Sequence, residues 1–277
     1  FSSFPYYWSL LVLQYSRSIT THFRMSVKTF VKGAAQWIVL DNAKKRNAIS
    51  SKMYEELCKA MEDADDNDNI LITVITGEGD YYSSGNDFSP AETTGVDQSD
   101  LDYESGYSRW MRRLIRHRKI IIGLVNGPAL GIAVTTLGLF DYVVCSDTTV
   151  FTTPFPSIGV CPEGTSSAVF QRVLGTSKAS EMLLFGEPMD AKTALARGFV
   201  AHVFPKAEFK QKTEALVEKF SKLPKHSLLA SKELMRGEKF RREMRSTHDE
   251  EYDQLRKLFV HEDTINLLLS RFSKSKM

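Results

Sequence analysis

Acidic residues are missing from the first 40 positions. Asp41 is the earliest, while Arg17, Arg24, Lys28 and Lys32 supply only positive charge there. A stretch so biased reads as a presequence or extension, and residues 1–27 are set apart from the fold on that ground. Cysteine is scarce too: Cys58, Cys145 and Cys161 make an odd number without a C-x-x-C pair. That excludes a disulfide framework and a thiolate zinc site, and it fits a reducing compartment. The six histidines are scattered, with no two on one helical turn, so a metal site has no pattern to rest on. An excess of one charge is also lacking, since 36 Lys+Arg against 34 Asp+Glu leave +2. Attraction of the whole surface to nucleic acid or an anionic membrane is thereby excluded, and an anionic partner must be held locally.

Long apolar runs are few. Residues 120–140 are uncharged for 21 positions, enough to raise the question of a membrane span. Asn126-Gly127-Pro128 answers it by dividing the run into a buried strand over 120–125 and a helix starting near Ala129, so no span is expected. The β-branched run over 70–76 predicts another strand. It follows a helix from Ser50 with Met53, Leu57, Ala60 and Met61 on one face. Strand and helix alternate to about residue 155. Beyond Pro162 the pattern predicts helices over 176–185, 190–197, 207–223 and 225–235 and a long charged one from Glu238, with a short strand over 200–204. This is an α/β protein: a sheet flanked by helices, followed by a mostly helical region.

Two basic clusters invite an anion site. Arg112, Arg113, Arg116, Arg118 and Lys119 sit at helical spacing without the interleaved aromatics of a single-strand binder, and read as a solvated face. Arg236, Lys239, Arg241, Arg242 and Arg245 are followed by Asp249, Glu250, Glu251 and Asp253, which reads as surface charge pairing.

Chemistry has three candidate segments. Tyr81-Tyr82-Ser83-Ser84-Gly85-Asn86-Asp87 follows the 70–76 strand, and Asn126-Gly127-Pro128-Ala129-Leu130-Gly131-Ile132 leads from strand to helix. Either can leave backbone N–H groups pointing outward, and two that converge make an oxyanion hole; either can equally be a simple turn. Neither fits G-x-G-x-x-G or a P-loop. In the third segment Glu163 stands between Pro162 and Gly164, after a stretch from Thr148 whose only ionisable group is Cys161. Apolar surroundings would raise its pKa toward the range useful for proton transfer; the alternative is a surface-loop charge before the helix that follows Thr165.

In this order and spacing the segments resemble the crotonase (enoyl-CoA hydratase/isomerase) superfamily over about residues 28–275. Lys44-Lys45-Arg46 before Asn47-Ala48-Ile49, Ser84-Gly85-Asn86-Asp87 and Asn126-Gly127-Pro128-Ala129-Leu130-Gly131 carry the likeness. It implies repeated ββα units over 28–200, with a helical region over 201–277 that packs in a homotrimer. It also implies an acyl-CoA thioester substrate, with its carbonyl held by the N–H groups of Asn86 and Ile132. Lys45, Asn47, Ser84, Gly85, Asp87, Gly131 and Phe155 would be binding residues, and no metal or other cofactor is called for.

The hydratase pattern has two glutamates, and Thr135 and Phe155 occupy their places here. Glu163 instead matches the single glutamate of peroxisomal-type Δ3,Δ2-enoyl-CoA isomerases. The likeness therefore implies conversion of 3-enoyl-CoA to trans-2-enoyl-CoA in β-oxidation. A non-catalytic acyl-CoA scaffold, a hydratase and a dienoyl-CoA isomerase are the alternatives. Asp41-Asn42-Ala43 departs from the family's Asn-Arg-Pro, and no acyl-CoA-binding domain precedes the catalytic part in this sequence. Phe88, Phe155 and Ile132 are expected to line the acyl pocket. The last residues, Ser275-Lys276-Met277, resemble the tripeptide that a peroxisomal import receptor reads. A peroxisome is the expected compartment, with a mitochondrion as the alternative if residues 1–24 act as a presequence.

Overall fold

A computed structural model describes residues 26–89 and 105–274. The 1–24 extension and the 275–277 tripeptide lie outside the described residues. The chain begins with a hairpin, β1 (Val27–Lys32) and β2 (Ala35–Leu40), paired antiparallel from Val27↔Leu40 to Lys32↔Ala35. The β-branched run forms β3 (Ile72–Gly77), which lies parallel to β2. Next to it come β4 (Ile120–Val125), β6 (Tyr142–Ser146) and β9 (His202–Phe204), all parallel, giving a six-stranded sheet in the order β1-β2-β3-β4-β6-β9. A smaller sheet of β5 (Ala129–Leu130), β7 (Val150–Thr152) and β8 (Met189–Asp190) stands beside it.

Parallel neighbours need crossovers, and helices supply them. Helix α1 (Ser51–Asp66) joins β2 to β3, and the Ser50 hydroxyl caps it by accepting from Met53 N–H. Its predicted apolar face, Met53, Leu57, Ala60 and Met61, is buried. Helix α2 (Gly106–Arg116) lies between β3 and β4 in sequence and packs on α1, and the one-turn α3 (Ile132–Thr135) follows β5. The helix expected near Ala129 thus starts three residues later. Ala129 and Leu130 pair with Phe151 and Thr152 instead, because the small sheet takes their backbone groups before the chain turns at Gly131.

The strands' two-residue period separates two cores. Ile38, Leu40, Ile75, Ile121 and Val125 face α1, α2 and the small sheet. Trp37, Ile72, Val74, Ile122 and Leu124 face the other way, toward α7 (Phe209–Ser221) and α8 (Lys225–Arg236). Five more helices complete the described chain: α4 (Ser166–Leu174), α5 (Thr176–Leu183), α6 (Ala191–Ala196), the long α9 (Glu238–Phe259) and α10 (Glu262–Lys274).

Both basic clusters are more engaged than their spacing suggests. Lys119 is buried and donates to the Asn67 carbonyl at 3.2 Å, and the backbone N–H of Arg118 donates to Asp65 at 3.0 Å. Arg113 pairs with Glu62 and Asp65 on α1. In the second cluster, Arg241 and Arg245 find Glu233 and Glu238, and Arg236 finds Asp141 at 3.3 Å. Glu251, read as one of the surface acids, is buried. Its helix turns it inward, onto the loop that follows Glu163.

Candidate active site

Local backbone chemistry brings the first two segments together. Asn47, in the left-handed region at φ 56°, is fully buried and spends its side-chain amide on the carbonyls of Glu78, Tyr81 and Tyr82. The Ser83 hydroxyl donates to the Asn47 carbonyl, and Leu130 N–H donates to the Ser83 carbonyl at 3.0 Å. The 81–87 segment is thereby laid along β5. Gly85 sits at φ +82°, and a Cβ there would stand 2.7 Å from the Leu130 carbonyl oxygen. Only glycine lets the two strands of backbone approach so closely.

This approach leaves two amides without an acceptor among the described residues. Ile49 bridges to Asn86 through bonds that use Gly85 C=O and Asp87 N–H, so the N–H of Asn86 itself points away from the bridge. Ile132 is the first residue of α3, where a helix offers its N–H no acceptor; Val134 and Thr135 N–H both return to Gly131 C=O.

Glu163 comes from the third segment. Gly164 at φ +71° and Thr165 at φ 63° turn the chain so that Glu163 precedes α4. Gly164 is tightly placed, since a Cβ would come 2.4 Å from Thr135 Oγ1. The Glu163 carbonyl accepts from the Ser166 hydroxyl at 2.7 Å, and Gly164 N–H donates to the Tyr107 hydroxyl at 3.1 Å. The side chain is 7% exposed, and Asn86 Nδ2 donates to its Oε1 at 3.5 Å. The Tyr54 hydroxyl donates to Asn86 Oδ1, which leaves the Asn86 amide nitrogen for the carboxyl. Burial, and then the charge of Glu251, push the Glu163 carboxyl up from 4.5 to about 8, against the Asn86 hydrogen bond. Glu163 is no solvated surface-loop charge.

One narrow cavity of about 40 Å³ collects Ser84, Gly85, Asn86, Gly131, Ile132, Phe155 and Glu163, together with Phe88. The three expected pocket side chains are among its walls. Leu255 and Phe259 of α9 close it, and sequence reasoning missed them. Their signal was present: Glu251, Leu255 and Phe259 recur every four residues, on one helix face. Lys45, Asn47 and Asp87 do not line this cavity. Lys45 is exposed and bonds Asp87 at 2.7 Å. Burial alone would raise the Asp87 carboxyl, but the hydrogen bonds from Lys45 and Ser89 outweigh it and hold it low. Asn47 is an organiser of the loops, with no donor left for a ligand. Thr135 is fully buried against Gly164.

A larger apolar cavity, about 250 Å³, lies on the opposite face of the main sheet between β4, α7 and α8, remote in the fold from every predicted site residue. Among the described residues there is no group of three His, Cys, Asp or Glu able to hold a metal, and no helix long and apolar enough to cross a membrane.

The arrangement is a buried carboxyl of high proton affinity beside two free-facing amides, enclosed by apolar walls. The chain as a whole is similar to known proteins. The chain is 38% identical over 262 residues to human enoyl-CoA delta isomerase 2, covering 93% of this chain and 66% of that one. With the mouse protein named enoyl-CoA delta isomerase 3, peroxisomal, it shares 40% over 201 residues, covering 72% of this chain and 63% of the relative. It therefore spans about two thirds of the length of these two relatives. The crystal structure of an enoyl-CoA hydratase/isomerase from Pseudoalteromonas atlantica T6c superposes with a TM-score of 0.83, covering 90% of this chain and 98% of the other at 24% identity, so the crotonase-like fold is shared. The enoyl-CoA hydratase/isomerase family profile matches residues 31–272, through both glycine-bearing turns, Glu163 and most of the C-terminal helices, and the chain belongs to that family.

Proposed function

We propose that this protein is a Δ3,Δ2-enoyl-CoA isomerase that moves one proton with Glu163. The observation that carries the reading is the placement of this single buried carboxyl in the same small cavity as Asn86 and Ile132. As carboxylate, Glu163 takes a proton from C2 of a 3-enoyl-CoA. The C–H electron pair moves into conjugation and the negative charge settles on the thioester oxygen. The backbone N–H groups of Asn86 and Ile132 hold that oxygen. The carboxylic acid then returns the same proton at C4, and the double bond rests between C2 and C3. Atoms and charge balance without metal, flavin or nicotinamide.

The energetic demand falls on two features. Loss of one oxyanion donor typically costs about a hundred- to a thousand-fold in rate, so a pair brings a weakly acidic C–H within reach of a carboxylate. A proton affinity raised to about 8 suits a group that must both accept and return the proton near neutral pH. Phe88, Phe155, Leu255 and Phe259 receive the acyl chain and keep water from the dienolate. Hydration is disfavoured because Thr135 is buried against Gly164 and Phe155 is an apolar wall, so that among the described residues lining the cavity no second acid stands ready to activate water.

The test is a spectrophotometric assay with 3-hexenoyl-CoA beside 2-hexenoyl-CoA and a 3,5-dienoyl-CoA. Isomerase activity predicts turnover of the first and its loss in Glu163→Gln with acyl-CoA affinity retained. Binding without turnover in the native protein would identify a scaffold, and turnover only of the other two substrates would identify a hydratase or a dienoyl isomerase. A peroxisomal location is supported by the Ser275-Lys276-Met277 tripeptide and by the name of the mouse relative, enoyl-CoA delta isomerase 3, peroxisomal. Imaging the protein with and without residues 275–277 tests it.

A further inference from the structure

The Glu163 loop is held by a second carboxylate that the proton shift does not use. Glu251, on α9, is 6% exposed. Its Oε2 accepts from Thr165 N–H at 2.7 Å and its Oε1 from Ser167 N–H at 2.9 Å. These amides open α4, and Thr165 makes no capping bond with its own side chain. The carboxylate is thus the cap of α4, delivered from another helix to the end where a helix best receives negative charge. One and two turns further along the same face of α9, Leu255 and Phe259 wall the cavity that holds Glu163.

We propose that Glu251 is a positioning residue for the reaction: its carboxylate locks the turn that presents Glu163 to the helix that walls the acyl cavity, and its negative charge stands behind Glu163. The proposal rests on the isomerase reading above.

The surroundings leave that charge little else to act on. Among the described residues no Lys or Arg forms an ion pair with Glu251, so its two amide donors are its stabilisation. The titratable groups facing it are Glu163 across the turn, Tyr107 from α2, Cys161, whose Sγ lies 4.0 Å from the Glu251 carbonyl, and Glu250 on its own helix. Arg112 of α2 reaches Asp249, two residues before Glu251 on α9, at 3.5 Å. The Tyr107 hydroxyl accepts Gly164 N–H, so the turn is clamped at two successive amides, Gly164 from α2 and Thr165 from α9. Burial and then the repulsion from Glu251 hold protons on Glu163. Burial also raises the Glu251 carboxyl, to about 7, against its amide hydrogen bonds, so it carries its charge in the range near 8 where Glu163 titrates, and removing that charge lets Glu163 ionise at lower pH.

The experiment compares pH profiles of kcat and kcat/KM for 3-hexenoyl-CoA in native protein, Glu251→Gln, Glu251→Asp and Glu163→Gln. The base works ionised, so the native rate climbs as pH rises through the Glu163 pKa. Glu251→Gln removes the charge and one of the two acceptors. Its limb is expected at lower pH, with kcat on the plateau reduced about tenfold by the orphaned amide and KM near native. Glu251→Asp keeps the charge on a stem one methylene shorter, so its limb is expected near the native position with a reduced plateau kcat.

A purely structural cap would lower the melting temperature and leave both limbs in place. A Glu251→Gln limb unmoved from native overturns the charge role, and a native plateau kcat in Glu251→Asp overturns the positioning role even if Glu251→Gln does not fold. Glu163→Gln separates this from the underlying reading. If it turns over at the native rate, the isomerase mechanism itself fails; if it is inactive while the Glu251 variants behave as native, only the role of Glu251 fails.

Discussion

A base that must sit buried and charged works against the stability of its own protein, and Glu163 allows the size of that conflict to be worked out. Its carboxyl rises from 4.5 to about 8, with burial the leading cause. At 1.36 kcal/mol per pKa unit this is about 5 kcal/mol between the two protonation states. The folded pKa lies above the ordinary one, so the folded state binds the proton more tightly. The resulting stability is fully present below pH 4.5 and is lost as pH rises through 8. Glu163→Gln, which cannot ionise, escapes that loss. Relative to native protein the variant gains about 1 kcal/mol at pH 5 and about 5 kcal/mol at pH 9. On a domain of this size, such energies correspond to melting-temperature differences of about 2–4 °C and on the order of 10 °C. The assay is a pair of thermal melts at each of several pH values from 5 to 9, beside the turnover measurement. An offset that stays constant with pH, or that reverses sign at pH 9, would refute the idea that Glu163 is held as a buried, desolvated acid.

Three further substitutions probe the frame around it. Gly85→Ala places a Cβ 2.7 Å from the Leu130 carbonyl at a φ of +82°. It should move the Asn86 and Ile132 amides apart, with kcat for 3-hexenoyl-CoA falling about a hundred-fold in steady-state assays. Asn47→Ala strips the carbonyls of Glu78 and Tyr82 of their side-chain donor, leaves that of Tyr81 only the longer bond from Asn126, and takes the side-chain acceptor from Asn42 N–H. Urea denaturation should show a loss of about 2–3 kcal/mol; an unchanged midpoint would show that the loops do not depend on it. Phe259→Ala opens the far wall of the cavity. The ratio of kcat/KM for 3-dodecenoyl-CoA over 3-hexenoyl-CoA should rise, and a fixed ratio would place the acyl chain elsewhere.

What was legible in the sequence was what neighbours along the chain decide. The strand at Ile120–Val125 and the Ser50-capped helix with Met53, Leu57, Ala60 and Met61 inside follow from local periodicity and capping, and they appear as read. Glu163 stood out because the stretch before it holds so little charge, and the glycine turns because few other residues tolerate their backbone. Element ends were less legible. Ala129 and Leu130 looked like the start of a helix, but became a strand because Phe151 and Thr152, twenty-two residues on, accept their pairing. Asn47 looked like a binding residue from its place in a motif, and only the convergence of three distant carbonyls made it internal scaffolding.

Glu251 marks the boundary between the two kinds of information. Its neighbours Asp249, Glu250 and Asp253 gave it the look of one more surface acid, since charge content says nothing of which side of a helix meets water. The docking of α9 on α2 and α4 decided that, burying one carboxylate of the group and setting it on the amides beside Glu163. By itself the sequence determined which residues have the chemistry to move a proton and which backbone turns must exist. Tertiary structure alone decided which of them meet, because the distance between groups far apart in the chain is set by the packing of whole elements and by no local preference.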